Sequence, residues 1–81
     1  MPRPEIGNIY AVDAGDYMGE FFVLVEKTNE LIFLSLPDFK IRHVPEDKYN
    51  SGLNEKILMF REKLPPEIFQ ECYDKYHELK A

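Results

Sequence analysis

The sequence has too few cysteines for a disulfide-stabilised protein and no apolar run of the length that a membrane-spanning protein needs. Its single cysteine, Cys72, excludes an internal disulfide framework and fits a reducing cytoplasm. No apolar run is long enough to cross a bilayer, and the N-terminal Met-Pro-Arg-Pro segment lacks the apolar core of a signal peptide. We therefore expect a cytoplasmic protein without membrane attachment.

Motifs for catalysis and for cofactor binding are also missing. Cys72 and His77 are five residues apart on a predicted helix, so they point in different directions and cannot share a metal ion. The stretch 13–19 holds two glycines and two acids but no lysine, unlike a phosphate-binding loop. We predict a protein that is not an enzyme and that needs neither a metal nor a cofactor.

The charge balance is acidic, with a formal net charge of −5. Nucleic acids and anionic membranes attract proteins rich in lysine and arginine, so bulk electrostatic attachment to either is disfavoured. An acidic surface fits a protein partner, above all a basic one.

Two apolar runs, predicted as strands over residues 19–28 and 31–36, are the most informative feature present. They flank a short polar break, which is the pattern of a β-hairpin. Val23 and Val25 are expected to share a buried face with Phe21, and Phe33 to lie on the core side of its strand. Both runs carry apolar residues at odd and even positions, which predicts that both faces of the sheet are partly covered.

Further strands are predicted over residues 6–13 and 39–44. Residues 45–54 are polar and are interpreted as a loop with room for one helical turn. Residues 53–64 fit both a helix and a strand. A strand over 57–63 is favoured, because Leu64 precedes two prolines and must be extended, and because four strands would leave apolar edges open.

A C-terminal helix is predicted over residues 66–79, with one apolar stripe along it. Five of its residues are expected to be largely buried against the sheet: Ile68, Phe69, Cys72, Tyr73 and Tyr76. The expected fold is a single domain, residues 1–81, of the mostly β (α+β) class. It is a five-stranded antiparallel SH3-like barrel or curled meander with a C-terminal α-helix.

This order of elements resembles the SH3-like barrels, a group that includes KOW and Tudor domains and the MazF-type ribonuclease toxins. In addition, the segments Gly7-Asn-Ile-Tyr10, Gly15-Asp-Tyr-Met-Gly-Glu-Phe-Phe22 and Phe33-Leu-Ser-Leu-Pro37 resemble small uncharacterised accessory proteins of tailed phages. That second resemblance implies host-directed binding without a defined activity.

Two surfaces are candidates for partner binding. Asp16, Tyr17 and Met18 form a predicted turn tip in which an aromatic residue and a methionine, both typical of contact surfaces, stand beside an acid. Lys40 and Arg42 lie on the polar face of the predicted fourth strand. The alternatives are that Tyr17 folds back over a barrel end and that the two cations simply form the wet face of an edge strand. We predict that any contact surface includes the tip, the basic face or both.

Three functions follow from this pattern. The first is a non-enzymatic binding protein that acts on a protein partner, as a phage-type inhibitor or modulator of a host or defence factor. The second is a nucleic-acid-binding module of the KOW or Tudor type, which would combine Lys40, Arg42 and Lys48 with stacking on Tyr10, Tyr17 and Tyr49.

A MazF-type ribonuclease toxin is the third function. It requires a general base and a cation beside the scissile phosphate, and Glu20 or Glu26 with Arg42 is the available combination.

Overall fold

The structure is a computed structural model that describes residues 4–81; the first three residues of the predicted domain lie outside the described part. Within that described part, five strands and two helices follow one another: β1 (Asn8–Val12), β2 (Phe21–Lys27), β3 (Leu31–Leu36), β4 (Lys40–Val44), α1 (Glu46–Asn54), β5 (Leu58–Lys63) and α2 (Pro66–Lys80). The strands form one sheet in the order β4-β3-β2-β1-β5, and all neighbours are antiparallel. Within residues 4–81, neither helix has the length and apolar character needed to cross a membrane.

The predicted fold class is confirmed as a curled meander with a C-terminal helix. The five predicted strands and the helix over 66–79 are present, and the strand favoured over 57–63 is β5. Among the described residues the sheet does not close into a barrel, because β4 and β5 are its two edges and do not pair with each other.

Both faces of the sheet are covered, as the apolar residues at odd and even positions predict. On one face Tyr49 of α1 packs against residues of the sheet, and we call this cluster the α1 core: Tyr10, Val12, Phe22, Leu24, Leu31, Phe33, Tyr49 and Leu58. On the other face α2 supplies two residues to a second cluster, the α2 core: Val23, Val25, Ile32, Leu34, Cys72 and Tyr76. Successive strand residues point to opposite faces, so neighbours such as Val23 and Leu24 belong to different cores.

The prediction of a loop over residues 45–54 is wrong, because Glu46–Asn54 is a helix of nine residues. Tyr49 is fully buried and anchors α1 to the sheet. A Cβ atom at Gly52 would lie 3.2 Å from a methyl carbon of Leu58, so glycine permits close approach of α1 to β5. Packing of this kind stabilises a short helix whose own composition is polar.

The inner face of α2 differs at one position from the prediction. Cys72 and Tyr76 are buried, and Phe69 and Tyr73 are half-buried, as expected. Ile68 is 47% exposed, so its predicted burial is wrong. At about 100° per residue, Ile68 lies roughly 80° around the helix axis from Tyr76, which places it at the margin of the buried stripe.

Phe21 is the exception in the β2–β3 hairpin. Val23, Val25 and Phe33 are buried as predicted, but Phe21 is 41% exposed. It is the first residue of β2, at the end of the strand. On the face of β2 that packs against α2, burial therefore begins at Val23.

Candidate binding groove

A groove of about 550 Å³ lies where the sheet fails to close. Its walls are the turn between β1 and β2, the edge strand β4, the helix α1 and the start of β5. We call it the seam groove. Its charged lining residues are Asp16, Arg42, Lys48 and Glu55, and His43 also lines it.

The seam groove runs along the edge of β4. Four consecutive residues of this strand, 41–44, line it. Side chains of consecutive strand residues point to opposite faces, so a groove over one face would be lined by every second residue only. The edge of β4, with backbone groups that no neighbouring strand pairs, is therefore one wall.

Tyr17 and Arg42 meet at this groove. The guanidinium carbon of Arg42 lies 4.0 Å from the centre of the Tyr17 ring, a cation–π arrangement. Tyr17 is carried by the turn between β1 and β2, where Gly15 and Gly19 have φ angles of +87° and +94°. Glycine adopts such angles without steric cost, which lets the chain fold back and hold Tyr17 over β4.

Arg42 of β4 is paired with Phe33 of the neighbouring strand β3, and paired residues point to the same face of a sheet. Because Phe33 belongs to the α1 core, Arg42 lies on that face. Its side chain is only 23% exposed, so the alternative that it simply belongs to the wet face of an edge strand does not describe this residue. Its Nη2 lies 3.5 Å from Oε2 of Glu20. The hydroxyl of Ser35, a fully buried residue, donates a hydrogen bond to the other oxygen of that carboxylate.

One donor of Arg42 has no partner. Its Nε is buried, and no hydrogen-bond acceptor within residues 4–81 reaches it. Buried N–H groups in proteins are nearly always paired, so this unpaired donor beside a groove calls for an explanation.

The structure brings three of the predicted contact residues together and leaves two apart. Asp16, Tyr17 and Arg42 all line the seam groove, so the turn tip and the basic strand form one surface. Met18 and Lys40 are exposed, but they are not part of the groove lining.

The contribution of α1 to this groove is absent from the prediction, because residues 45–54 were interpreted as a loop. Lys48 and Ser51 lie on α1, and Glu55 follows its last residue. The available signal was Pro45 followed by two acids, a favourable helix start, with Tyr49 and Leu53 four residues apart on one face.

Other candidate groups lie outside the groove. The hydroxyls of Tyr10 and Tyr49 are 2.8 Å apart in the α1 core, and both residues are fully buried, so neither ring can stack on a base. Cys72 is buried in the α2 core, where desolvation raises the pKa of its thiol and so lowers its reactivity.

Glu26, one of the two acids considered as a general base, contacts α2. It accepts a hydrogen bond from Tyr76, and this bond is the main cause of its lowered pKa; Lys80 lies 3.7 Å from it. The other acid, Glu20, does pair with Arg42, but both of its oxygens are engaged by protein groups. Within residues 4–81 no group of three or more His, Cys, Asp or Glu side chains is arranged to hold a metal ion.

Comparisons of this chain with protein families, with curated proteins and with solved structures found no match.

Proposed function

We propose that this protein is a small non-enzymatic binding module that acts on another protein through the seam groove. The observation that carries the proposal is the Tyr17–Arg42 pair, which presents an aromatic ring and a guanidinium at the mouth of a groove. Tyrosine and arginine are the residue types that most often dominate binding energy at protein interfaces. The exposed Met18 extends the apolar surface beside them.

The charges around the groove favour a protein over a nucleic acid. Arg42 and Lys48 line it together with Asp16 and Glu55, so cations and acids are mixed there. A phosphate backbone would be repelled by the acids, whereas a protein segment can match both signs. The KOW or Tudor type of function is therefore the less supported alternative, and the ribonuclease the least, since Glu20 is occupied by Ser35 and Arg42.

The resemblance to phage accessory proteins supports a host or defence factor as the partner. In this proposal the module inhibits or redirects that factor by occupying one of its surfaces, and no chemical step is required.

The test is capture of the partner from cytoplasmic extract, followed by affinity measurements with variants. Tyr17→Ala should weaken binding by about 2 kcal/mol, as expected of a central contact residue. Met59→Ala is the matched control, because Met59 and Tyr17 are both 43% exposed and Met59 lies outside the groove. Lys40→Glu should mainly slow association.

Two results would contradict the proposal. One is the absence of any stoichiometric protein partner together with tight, steeply salt-dependent binding of RNA or DNA. The other is a captured partner whose affinity is the same for Tyr17→Ala and for the parent protein, which would locate the contact surface elsewhere.

A further inference from the structure

Arg42 has donors that the fold does not use. A guanidinium carries five N–H groups. Within the described residues its one hydrogen bond runs from Nη2 to Glu20 over 3.5 Å, longer than a typical bond between two charged groups. Its Nε has no partner. Glu20 makes no bond to Nε, and its other oxygen accepts from Ser35.

The group that matches these donors is a carboxylate. A carboxylate placed beside a guanidinium accepts two parallel N–H bonds, and these charge-assisted bonds are stronger than bonds to neutral acceptors. Nη2 carries two N–H groups, of which Glu20 uses one, so Nε and Nη2 remain able to bind a carboxylate together. Nε is buried, so a carboxylate reaches it only after a neighbouring group moves. The Tyr17 ring lies over the guanidinium on an exposed turn with a glycine at each end, and in this inference it is the group that moves.

The groove also determines the shape of its occupant. One wall is the unpaired edge of β4, and extended segments bind such edges by adding a strand to the sheet. Arg42 is the central residue of Lys40–Val44, so the carboxylate belongs near the middle of the bound segment. Asp16 and Glu55 line the same groove and would repel additional acids.

We infer that the partner presents an extended segment with a single Asp or Glu at its centre, which pairs with the edge of β4 and places its carboxylate on Arg42. This inference rests on the proposed function, since it names the chemistry of the protein segment that the seam groove binds. A polyanion is a different kind of ligand, because Asp16 and Glu55 in the groove would repel its additional negative charges.

The experiment uses a library of random capped heptapeptides, selected on the immobilised full chain. The selected peptides should contain one central acid. Replacing that acid in the peptide by its amide should reduce the affinity of the peptide for the parent protein at least ~10-fold. The same replacement should leave the affinity for the Arg42→Gln variant unchanged. Arg42→Lys should also bind weakly, because lysine lacks the planar pair of donors. Arg61→Gln is the matched control, because Arg61 is an exposed arginine of β5 outside the groove lining, and this variant should bind normally.

Changes in the amide chemical shifts of the nitrogen-15-labelled protein on addition of the peptide locate its binding site, and the largest changes should fall at residues 40–44. The same spectrum reports whether Arg42→Gln is folded; if it is not, the acid-to-amide exchange on the parent protein decides alone. Peptides that bind in the groove without a preference for an acid would overturn the inference and leave the proposed function standing. Selection of no groove-binding peptide would also overturn it, and the capture experiment would then judge the proposed function separately. A single-stranded oligonucleotide that occupies residues 40–44 more tightly than any peptide would overturn both.

Discussion

Arg42 and Tyr17 stand in van der Waals contact, with the guanidinium carbon 4.0 Å from the ring centre, although they come from different strands and turns of the chain. The contact joins the tip of the β1–β2 turn to the edge strand β4. It thereby makes one surface out of two regions that the sequence presents separately.

The first prediction concerns the strength of this contact. A double-mutant cycle with Tyr17→Leu and Arg42→Gln should give a coupling energy of about 0.5–1 kcal/mol in urea unfolding, the range of partly exposed cation–π pairs. The cycle Phe39→Leu with Lys75→Gln is the control, since Lys75 lies farther from its ring, at 5.4 Å. The control should give the smaller coupling, and a Tyr17–Arg42 coupling indistinguishable from zero would show that this contact does not stabilise the fold.

The second prediction concerns the buried hydroxyl pair. The hydroxyl of Tyr10 contacts that of Tyr49 and also accepts from the side-chain amide of Asn8. Tyr49→Phe leaves Tyr10 with Asn8 and should cost about 1 kcal/mol, whereas Tyr10→Phe leaves two buried groups unpaired and should cost about 2–3 kcal/mol. Urea unfolding of both variants measures the difference. Equal costs would mean that Asn8 does not depend on Tyr10.

The third prediction concerns the end of α1. The N–H of Ile57 bonds to the carbonyl of Gly52, and that of Lys56 to Leu53, which is the Schellman arrangement. Lys56 has a φ angle of +60°, a region that favours glycine. Lys56→Gly should therefore raise the free energy of unfolding by about 1 kcal/mol. Lys56→Ala removes the same side chain but keeps the strained angle, and a similar gain from it would refute the explanation.

The fourth prediction concerns pH. Burial raises the pKa of Tyr76 from 10.0 to about 12, and its hydrogen bond to Glu26 adds to the effect. Below pH 10 the hydroxyl is protonated in both states and its contribution to stability is complete. Above pH 10 the unfolded state loses the proton first, so stability should fall as the pH rises towards 12. The stability difference between the parent and Tyr76→Phe should narrow over this interval in urea unfolding, and a constant difference would contradict the assignment.

The fifth prediction concerns the inner face of α2. Ile68→Ala should cost less than about 1 kcal/mol, because nearly half of the side chain is already exposed. Tyr76→Ala should cost about 3–5 kcal/mol, since it removes a buried ring. Thermal unfolding of the two variants compares them directly. A cost for Ile68→Ala that approached that of Tyr76→Ala would mean that α2 is rotated towards Ile68.

Sequence patterns predict the strands well because apolar alternation and proline positions are local properties. They fail at α1, since residues 46–54 are polar and the helix depends on Tyr49 packing against distant strands. They also fail at Ile68, because the number of α2 residues that become buried depends on how much of the helix surface the sheet contacts. The seam groove was not predictable, since it results from the curl of the sheet and from α1 together. Its individual residues Asp16, Tyr17 and Arg42 were nevertheless recognisable by residue type.

The two-sided burial of the sheet has a consequence for the fidelity of folding. In a sheet with one solvent-exposed face, a strand that slips by one residue exposes its apolar side chains to water, so the slipped pairing is much less stable. Here a slip of β3 would only exchange two apolar sets, and hydrophobicity alone discriminates poorly between the pairings. Ser35 breaks this symmetry, because it is buried and in the observed register its hydroxyl reaches Glu20 beside Arg42. A slipped β3 would move this hydroxyl to the opposite face and away from its acceptor, so a small polar contact selects the correct pairing from two that are almost equally apolar.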